Sequence, residues 1–224
     1  MSKLIVIEGT DCSGKETQSK LLVEKLNEMG YKAVRINFPN YDSPTGKIVG
    51  GPYLGKTEIS DCWFSEGAVN VDSKVASLYY AADRKYNLPV LKKYLDDGYF
   101  VICDRYVTSN MAHQGSKIKD DDERFHMYQW IDKLEFWLLD LPKPDKTIFL
   151  HVPYSYAFEL KKNRTSLDEH EKCEEHLRNS EMAYIELSQL YNWTSINCIK
   201  DGSIRSIEDI SKEIMNCVNE YLNK

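Results

Sequence analysis

The chain has 224 residues, of which 42% are hydrophobic and 29% are charged, a balance typical of a folded domain and not of a disordered segment. Its formal net charge of −6 argues against a general nucleic-acid or anionic-membrane surface, so any phosphate site is expected to be a local basic pocket. No apolar run approaches the length of a membrane span and no signal segment is visible, which predicts a cytoplasmic protein.

Strand-like and helix-like segments alternate along the whole chain. Apolar runs of strand length predict strands at 4–8, 32–38, 99–103, 146–152 and 194–199. Helical periodicity predicts helices at 14–29, 74–97, 121–139, 154–162, 170–191 and 206–222. Strands that are apolar throughout and separated by helices indicate a parallel sheet covered on both faces. Because no repeat or linker interrupts the pattern, we predict one α/β domain over residues 1–224.

The segment between the first predicted strand and the first predicted helix is a glycine-containing loop, GTDCSGKETQ. It consists of Gly9, Thr10, Asp11, Cys12, Ser13, Gly14, Lys15, Glu16, Thr17 and Gln18. Glycine, four residues and then Gly-Lys is the pattern of a phosphate-binding loop, in which backbone N–H groups and a helix N-terminus face the anion. Its position between a strand and a helix favours ATP binding over a turn that merely needs glycine.

Glu16 is the unusual residue of this loop, because the pattern should close with a Ser or Thr hydroxyl that holds Mg²⁺. A carboxylate suits the first turn of a helix, but it repels a triphosphate unless a metal lies between them. Thr17 is no simple replacement, since one step along a helix turns the side chain by about 100°. We expect Glu16 to turn outward or to act through water, with Asp104 as a candidate Mg²⁺ ligand.

Two further segments carry charges that a ligand could use. The third strand runs into Asp104 and Arg105, and open α/β sheets bind ligands at the carboxyl ends of their strands. Tyr80 and Arg84 lie four residues apart on one face of a predicted helix, where they could stack on a base and hydrogen-bond its edge. A structural ion pair would also explain Asp104 and Arg105, and an ordinary amphipathic helix would also explain Tyr80 and Arg84. Neither segment alone therefore establishes a ligand site.

Seven segments, in order along the chain, resemble the thymidylate kinase family. They are IEGTDCSGKETQ (7–18), FPNYDSPTGKIV (38–49), LYYAADR (78–84), DRYVTSNMAHQG (104–115), LPKPDKTIFLHV (141–152), NRTSLDEHE (163–171) and DGSIRSIEDI (201–210). The resemblance implies a P-loop NTPase fold with a five-stranded parallel sheet and a short lid at about 161–171. It also implies transfer of the γ-phosphoryl of ATP to dTMP with Mg²⁺, no nucleic-acid or membrane partner, and a homodimer.

The same resemblance implies roles for individual residues. Lys15 would bridge the β- and γ-phosphates, Arg105 would contact the dTMP phosphate and the transferred group, and Arg164 of the lid would close over them. Asp11 matches an acid near the acceptor's 3′-hydroxyl and the transfer centre. The implied dTMP pocket consists of Asp11, Phe38, Tyr80, Arg84, Arg105, Ser109, Asn110, His113 and Gln114. In it, the ring of Tyr80 would stack on thymine, the guanidinium of Arg84 would read the O4 edge, and His113 would lie near the sugar 2′ position.

Two positions depart from the family pattern. Some members have an arginine inside the phosphate loop, where this chain has Cys12, so the lid residue Arg164 is expected to supply that charge. Some also have an arginine just before Phe-Pro, where Asn37 stands. Arg35 shares the strand face of Asn37 and is a candidate replacement.

Two alternative functions stay open. The first is a kinase for another nucleoside or nucleoside monophosphate on the same scaffold. The second is a catalytically silent nucleotide-binding homologue, for which Glu16, Cys12 and Asn37 are the best support. For the dimer, the helices at 74–97 and 121–139 are candidate contacts. The aromatic residues of the second helix are Tyr128, Trp130, Phe136 and Trp137, and a place in the core would explain them equally well.

Overall fold

A five-stranded parallel sheet forms the centre of the computed structural model, which describes residues 2–161 and 174–222. The strands are β1 (Lys3–Glu8), β2 (Ala33–Asn37), β3 (Phe100–Asp104), β4 (Lys146–His151) and β5 (Thr194–Asn197). Their order across the sheet is β2-β3-β1-β4-β5, and all neighbours run parallel. The five predicted strands and the parallel sheet are confirmed, with strand boundaries within two residues of those predicted.

The helices cover both faces of this sheet. They are α1 (Lys15–Glu28), α2 (Pro44–Ile48), α3 (Ser73–Asp96), α4 (Val107–Gly115), α5 (Asp121–Asp132), α6 (Tyr154–Lys161), α7 (Glu174–Leu190) and α8 (Ile207–Leu222). Irregular turns follow α2 and α5, as π-helical stretches at Val49–Tyr53 and Lys133–Leu138, and a 3₁₀ turn spans Ala68–Asn70. A small antiparallel hairpin, β6 (Ile199–Lys200) and β7 (Ser203–Ile204), precedes α8.

Alternate side chains of the strands enter two separate cores, which explains why the strands are apolar throughout. Leu4 and Val6 of β1 point to the face covered by α3, α4, α5 and α7. Ile5 and Ile7 point to the opposite face, which is covered by α1, α6 and α8. A third cluster, built from the segment after α2 and the start of α3, contains Val49, Tyr53, Leu54, Ala68, Val71 and Ala76.

Two features differ from the predictions, and the burial of Tyr128 favours one of the two alternatives left open for it. Helix α4 was not predicted, because eight of its nine residues are buried and the segment therefore has no polar face to reveal a helical period. The predicted helix at 121–139 is α-helical only to Asp132 and then continues as the π-helical stretch. Tyr128 is fully buried against Gly115, so it belongs to the core and not to a dimer contact.

The predicted lid at about 161–171 lies outside the described residues except for its first position. Arg164 therefore stays a prediction, with no structural account. Within the part of the chain that the structure describes, no helix is long and apolar enough to cross a membrane.

Candidate active site

A cavity of about 530 Å³ opens at the carboxyl ends of β1 and β3. The predicted site residues that line it are Asp11, Cys12, Gly14, Lys15, Glu16, Thr17, Phe38, Tyr80, Arg84, Asp104, Arg105, Ser109, Asn110 and His113. Four lining residues were not predicted, namely Pro39, Tyr41, Leu54 and Lys56. The fold thus brings together the phosphate loop, the Asp-Arg pair, the Tyr-Arg helix and the Phe-Pro segment.

The phosphate loop is shaped by unusual backbone conformations. Gly14 caps α1 with a φ of 82°, and Cys12 also has a positive φ, of 62°. Gly9 has no room for a side chain, because an added Cβ would lie 2.7 Å from the carbonyl oxygen of Leu150. The glycines are therefore required for the close turn between strand and helix, as the loop pattern predicts.

Lys15 lies folded back on this loop. Its ammonium donates to the carbonyl oxygen of Thr10 and to the hydroxyl of Ser13, the latter at 3.2 Å. Burial and the nearby Arg105 guanidinium lower the pKa of Lys15 to about 8. The loop atoms thus hold the lysine in a site where phosphate oxygens could replace them.

Two loop residues predicted to bind ATP serve other contacts. The side-chain amide of Gln18 donates to the carbonyl oxygen of Ile207 at 3.0 Å, which joins α1 to α8 and turns Gln18 away from the cavity. The hydroxyl of Thr10 donates to the carbonyl oxygen of Val152 at 3.4 Å. Gln18 is therefore a structural contact, and Thr10 shapes the loop without lining the cavity.

Glu16 points outward, which is the first of the two arrangements expected for it. Its carboxylate forms an ion pair with Lys20 one helical turn later, at 2.6 Å, and its side chain is 67% exposed. The exposure weakens the objection that a carboxylate at this position would repel a triphosphate.

Arg105 is the most heavily held cation of the cavity. It follows β3 with a φ of 65°, and its guanidinium donates to the carbonyl of Gly9 at 3.1 Å and to the hydroxyl of Tyr184 at 3.0 Å. It also donates to Ser109 at 3.3 Å and forms an ion pair with Asp11. These contacts fix the guanidinium between the phosphate loop and α4.

Glu8, which the sequence analysis missed, lies beneath this arginine. Its carboxylate is completely buried and accepts hydrogen bonds from the backbone N–H of Tyr106 at 3.1 Å and from the hydroxyls of Thr108 and Ser109 at 2.6 and 2.5 Å. The hydroxyl of Tyr184 lies 3.3 Å away. A charged residue closing an otherwise apolar strand was the signal that could have identified it.

At the other end of the cavity, Arg84 is buried and forms a two-pronged ion pair with Glu135, which is completely buried. A third N–H of Arg84 donates to the carbonyl of Tyr106 at 3.4 Å, so these contacts use three of the five N–H groups of the guanidinium. The ring of Tyr80 meets that of Tyr53 edge-on, with centroids 5.7 Å apart. Glu135 lies far from these residues in sequence, in a segment predicted only as helix.

Asn110 completes this end of the cavity. Its amide nitrogen donates to Glu135 at 2.9 Å and to the carbonyl of Ser77 at 3.3 Å. Because both partners can only accept, these contacts fix which way the amide points. Its amide oxygen is then buried without a hydrogen-bond partner among the described residues. An orphaned buried acceptor at a cavity wall requires a donor from a ligand or from water.

His113 joins Arg105 to a second histidine. Its Nε2 lies 3.4 Å from the Arg105 guanidinium and its Nδ1 lies 3.3 Å from Nε2 of His176. An arginine can only donate, so Nε2 of His113 must accept and Nδ1 must carry the proton. Burial and the charge of Arg105 lower the pKa of His113 well below its usual value.

Three residues considered for the acceptor side do not line the cavity. Gln114 does not line the cavity and is completely buried, because the next position along α4 turns by about 100° from His113. Arg35 is not in the lining either. It forms an ion pair with Asp104 at 2.6 Å and donates to Ser19 at 2.8 Å. The amide of Asn37 donates to the carbonyl of Pro39 at 3.0 Å.

Comparisons with known proteins agree on one family. A family model described as thymidylate kinase matches residues 7–214. A probable thymidylate kinase of Pyrococcus horikoshii is 31% identical, over 97% of this chain and 96% of its own. The thymidylate kinase of Plasmodium falciparum is also 31% identical, over 95% of this chain and 88% of its own. The solved thymidylate kinase of Candida albicans matches with a TM-score of 0.74 and 24% identity, covering 99% of this chain and 93% of its own, and supports the fold.

Proposed function

Because this chain belongs to the thymidylate kinase family, whose members transfer the γ-phosphoryl of ATP to dTMP, we propose that the cavity beside β1 and β3 is where that transfer takes place. One observation carries the proposal: Lys15 and Arg105 line the same cavity as Arg84 and Asn110. Lys15 and Arg105 thus supply positive charge for two polyanionic substrates. Arg84 and Asn110 supply a hydrogen-bond donor and a hydrogen-bond acceptor for a base. Phosphoryl transfer needs such positive charge and positioning more than it needs covalent chemistry.

We propose that the donor and the acceptor meet between the phosphate loop and Arg105. The loop N–H groups and Lys15 would hold the β- and γ-phosphates, with Lys15 exchanging its contacts to Thr10 and Ser13 for phosphate oxygens. The Arg105 guanidinium would hold the acceptor phosphate, and Asp11 would orient that guanidinium. Arg164, outside the described residues, stays the proposed lid arginine.

Mg²⁺ is the proposed cofactor, and the residues present fit it. The carboxylates of Asp11 and Asp104 both line the cavity, each in an ion pair with an arginine, and carboxylate oxygens are suitable Mg²⁺ ligands. In kinase sites Mg²⁺ usually keeps several waters and binds substrate phosphates with one or two carboxylates. When bound, it would neutralise charge on the triphosphate oxygens. Asp104 would supply the protein ligand, while the outward Glu16 would supply none.

The base end of the cavity supports thymine as the proposed base. Thymine presents an acceptor at O4 beside a donor at N3–H. Arg84 can donate to the first, and the orphaned amide oxygen of Asn110 can accept from the second. Cytosine presents a donor at N4 and an acceptor at N3. The Arg84 donor would then face a donor, and the Asn110 acceptor would face an acceptor. The ring of Tyr80 would stack on the base, as the sequence predicts.

We propose one domain over residues 1–224 and a homodimer formed through α3. Four apolar side chains on this helix, Val75, Leu78, Tyr86 and Val90, are between 42% and 57% exposed and recur along one face. A cytoplasmic location is proposed because the cysteines at positions 62, 103, 198 and 217 are free thiols, which favours a reducing compartment.

A coupled assay with ATP and a panel of acceptors tests the proposed function. We expect turnover of dTMP with little or no turnover of dCMP, dGMP or AMP. Asn110→Ala is expected to lower kcat/KM for dTMP by about ten-fold or more, since each lost hydrogen bond to a buried group is worth about 1–3 kcal/mol. Comparable rates with dCMP or dGMP would refute the base assignment. No turnover with any acceptor would instead favour a catalytically silent homologue.

A further inference from the structure

Two cations that the family pattern leads one to expect around the phosphates of the proposed reaction are missing, and the one replaced by Asn37 would contact the acceptor phosphate. Cys12 replaces one arginine, and Asn37 replaces another. Arg35, the candidate replacement, is engaged with Asp104 at 2.6 Å and does not line the cavity. Arg105 lines the cavity and is the proposed ligand of the acceptor phosphate, whereas Lys15 contacts the phosphate loop and Arg84 contacts Glu135.

Lys56 is a further cation in the cavity wall. Its ammonium lies over the ring of Tyr41, 5.2 Å from the ring centroid, and both residues line the cavity. The wall that contains them is formed by the Phe-Pro segment and the turn after the first π-helical stretch, which also contributes Leu54. This is the side of the cavity on which the acceptor, and not the triphosphate, is proposed to bind.

The backbone beneath Lys56 is fixed. Its N–H donates to the carbonyl of Gly50 at 2.9 Å, and its own carbonyl accepts from the N–H groups of Ile59 and Ser60 at 2.8 and 3.1 Å. Gly50 also seats the aromatic partner, because an added Cβ there would lie only 2.8 Å from a ring carbon of Tyr41. The backbone of Lys56 and the ring beneath its ammonium are therefore both held in place by the chain.

We propose that Lys56, seated on the ring of Tyr41, contacts the 5′-phosphate of dTMP and supplies the charge that Asn37 cannot. The inference rests on the proposed function. A lysine ammonium is a compact point charge that suits a phosphate, whereas the base end of the cavity is already served by Arg84 and Asn110. Tyr41 positions the ammonium through a cation–π contact and does not itself touch the phosphate.

The test is a substitution that removes the charge and keeps the stem. Lys56→Met is expected to raise KM for dTMP by about ten- to a hundred-fold, the range for hydrogen bonds to a charged group. KM for ATP is expected to stay unchanged. Binding of thymidine, which lacks the phosphate, should also be unchanged when measured as competitive inhibition.

Lys143→Met is the matched control, because the Lys143 ammonium also lies 5.2 Å from an aromatic centroid, that of Phe136, yet does not line the cavity. It should leave KM for dTMP at the wild-type value. Tyr41→Phe, which keeps the ring, should have no effect, and Tyr41→Leu should raise KM less than Lys56→Met does. Lys56→Arg should restore most of the affinity.

An unchanged KM for dTMP in Lys56→Met, or an equal loss of thymidine binding, would overturn the inference. In both cases the wild-type protein would still phosphorylate dTMP, so the proposed function would stand. Failure of the wild-type protein to turn over dTMP would overturn the proposed function instead.

Discussion

At the scale of single residues, Glu8 links the end of β1 to the turn that carries Arg105. Its buried carboxylate accepts from Tyr106, Thr108 and Ser109, and Ser109 in turn accepts from the arginine. Both oxygens of a carboxylate accept hydrogen bonds. An amide has one accepting oxygen and one donating nitrogen, so it cannot reproduce all of these contacts. Glu8 therefore acts on the substrates only through the residues that it positions.

Glu8→Gln is expected to lower kcat by at least about ten-fold and to raise KM for dTMP, because Arg105 loses part of its support. Lys15 keeps its own contacts, so KM for ATP should change little. Steady-state kinetics with each substrate varied in turn measure the difference. Lys56→Met, by comparison, is expected to leave kcat close to wild type.

The control for this variant is Glu186→Gln. Glu186 accepts from Tyr128 at 2.9 Å and from Arg124 at 2.8 Å, outside the cavity lining. Glu186→Gln should lower thermal stability, by less than Glu8→Gln because the Glu186 side chain is 37% exposed, while leaving kcat unchanged. Equal kcat values for both variants would show that Glu8 contributes to stability alone.

At the scale of elements, α3 divides its length between two surfaces. Arg84 and Leu88 face inward, whereas Val75, Leu78 and Tyr86 are exposed. We expect Leu78→Glu to shift the protein from dimer to monomer, because a charge at the centre of an apolar contact must lose its water. Sedimentation at micromolar concentration measures the change.

Met182→Glu on α7 is the control for the dimer prediction. Met182 is 63% exposed, compared with 51% for Leu78, but lies on a different helix. It should leave the sedimentation coefficient at the wild-type value. A wild-type protein that already sediments as a monomer would contradict the dimer.

The elements also differ in how well the sequence predicts them. Strand β1 and helix α1 were predicted because apolar runs and a glycine loop are local signals. Helix α4 was not, although it carries Ser109, Asn110 and His113, because burial on nearly all sides removes the polar face that periodicity depends on. Helix α4 thus carries as many cavity-lining residues as α1 does, yet no local periodicity reveals it.

At the scale of the whole molecule, the parallel sheet and three cations of the cavity could be predicted, whereas their partners and Lys56 could not. Lys15, Arg84 and Arg105 belong to short segments that resemble a family. Glu135 lies 51 positions from Arg84 in the chain, and no local pattern pairs them. Lys56 was missed for the same reason, because its position in the wall depends on how the segment after α2 turns back towards Tyr41.

The buried His113 is expected to make the stability of the whole molecule depend on pH. Its pKa is lowered by burial and by Arg105, His176 and Lys15, against the opposite effect of Asp11. Below pH 6.5 the unfolded chain takes up a proton at this position before the folded protein does. The free energy of unfolding should therefore fall as pH is lowered from 6.5, by at most about 1.4 kcal/mol per pH unit from this group.

Urea unfolding at pH 7.5, 6.5 and 5.5 measures this slope. His113→Gln should reduce it, because glutamine takes up no proton in either state. His126→Gln, at an exposed position of α5, is the control and should leave the slope unchanged. Identical slopes for the wild-type protein and His113→Gln would mean that other groups set the pH dependence.

The backbone pairing of β1 with β3 fixes the distance between the two halves of the site. Ile7 pairs with Asp104, and the N–H of Arg105 donates to the carbonyl of Ile7 at 3.2 Å. Neighbouring strands lie about 4.8 Å apart whatever their side chains are. The spacing between the backbone before the phosphate loop and the backbone of Arg105 is therefore set by peptide groups, which a change of side chain does not alter. Substitutions in the surrounding helices should therefore leave this backbone spacing unchanged for as long as the protein stays folded.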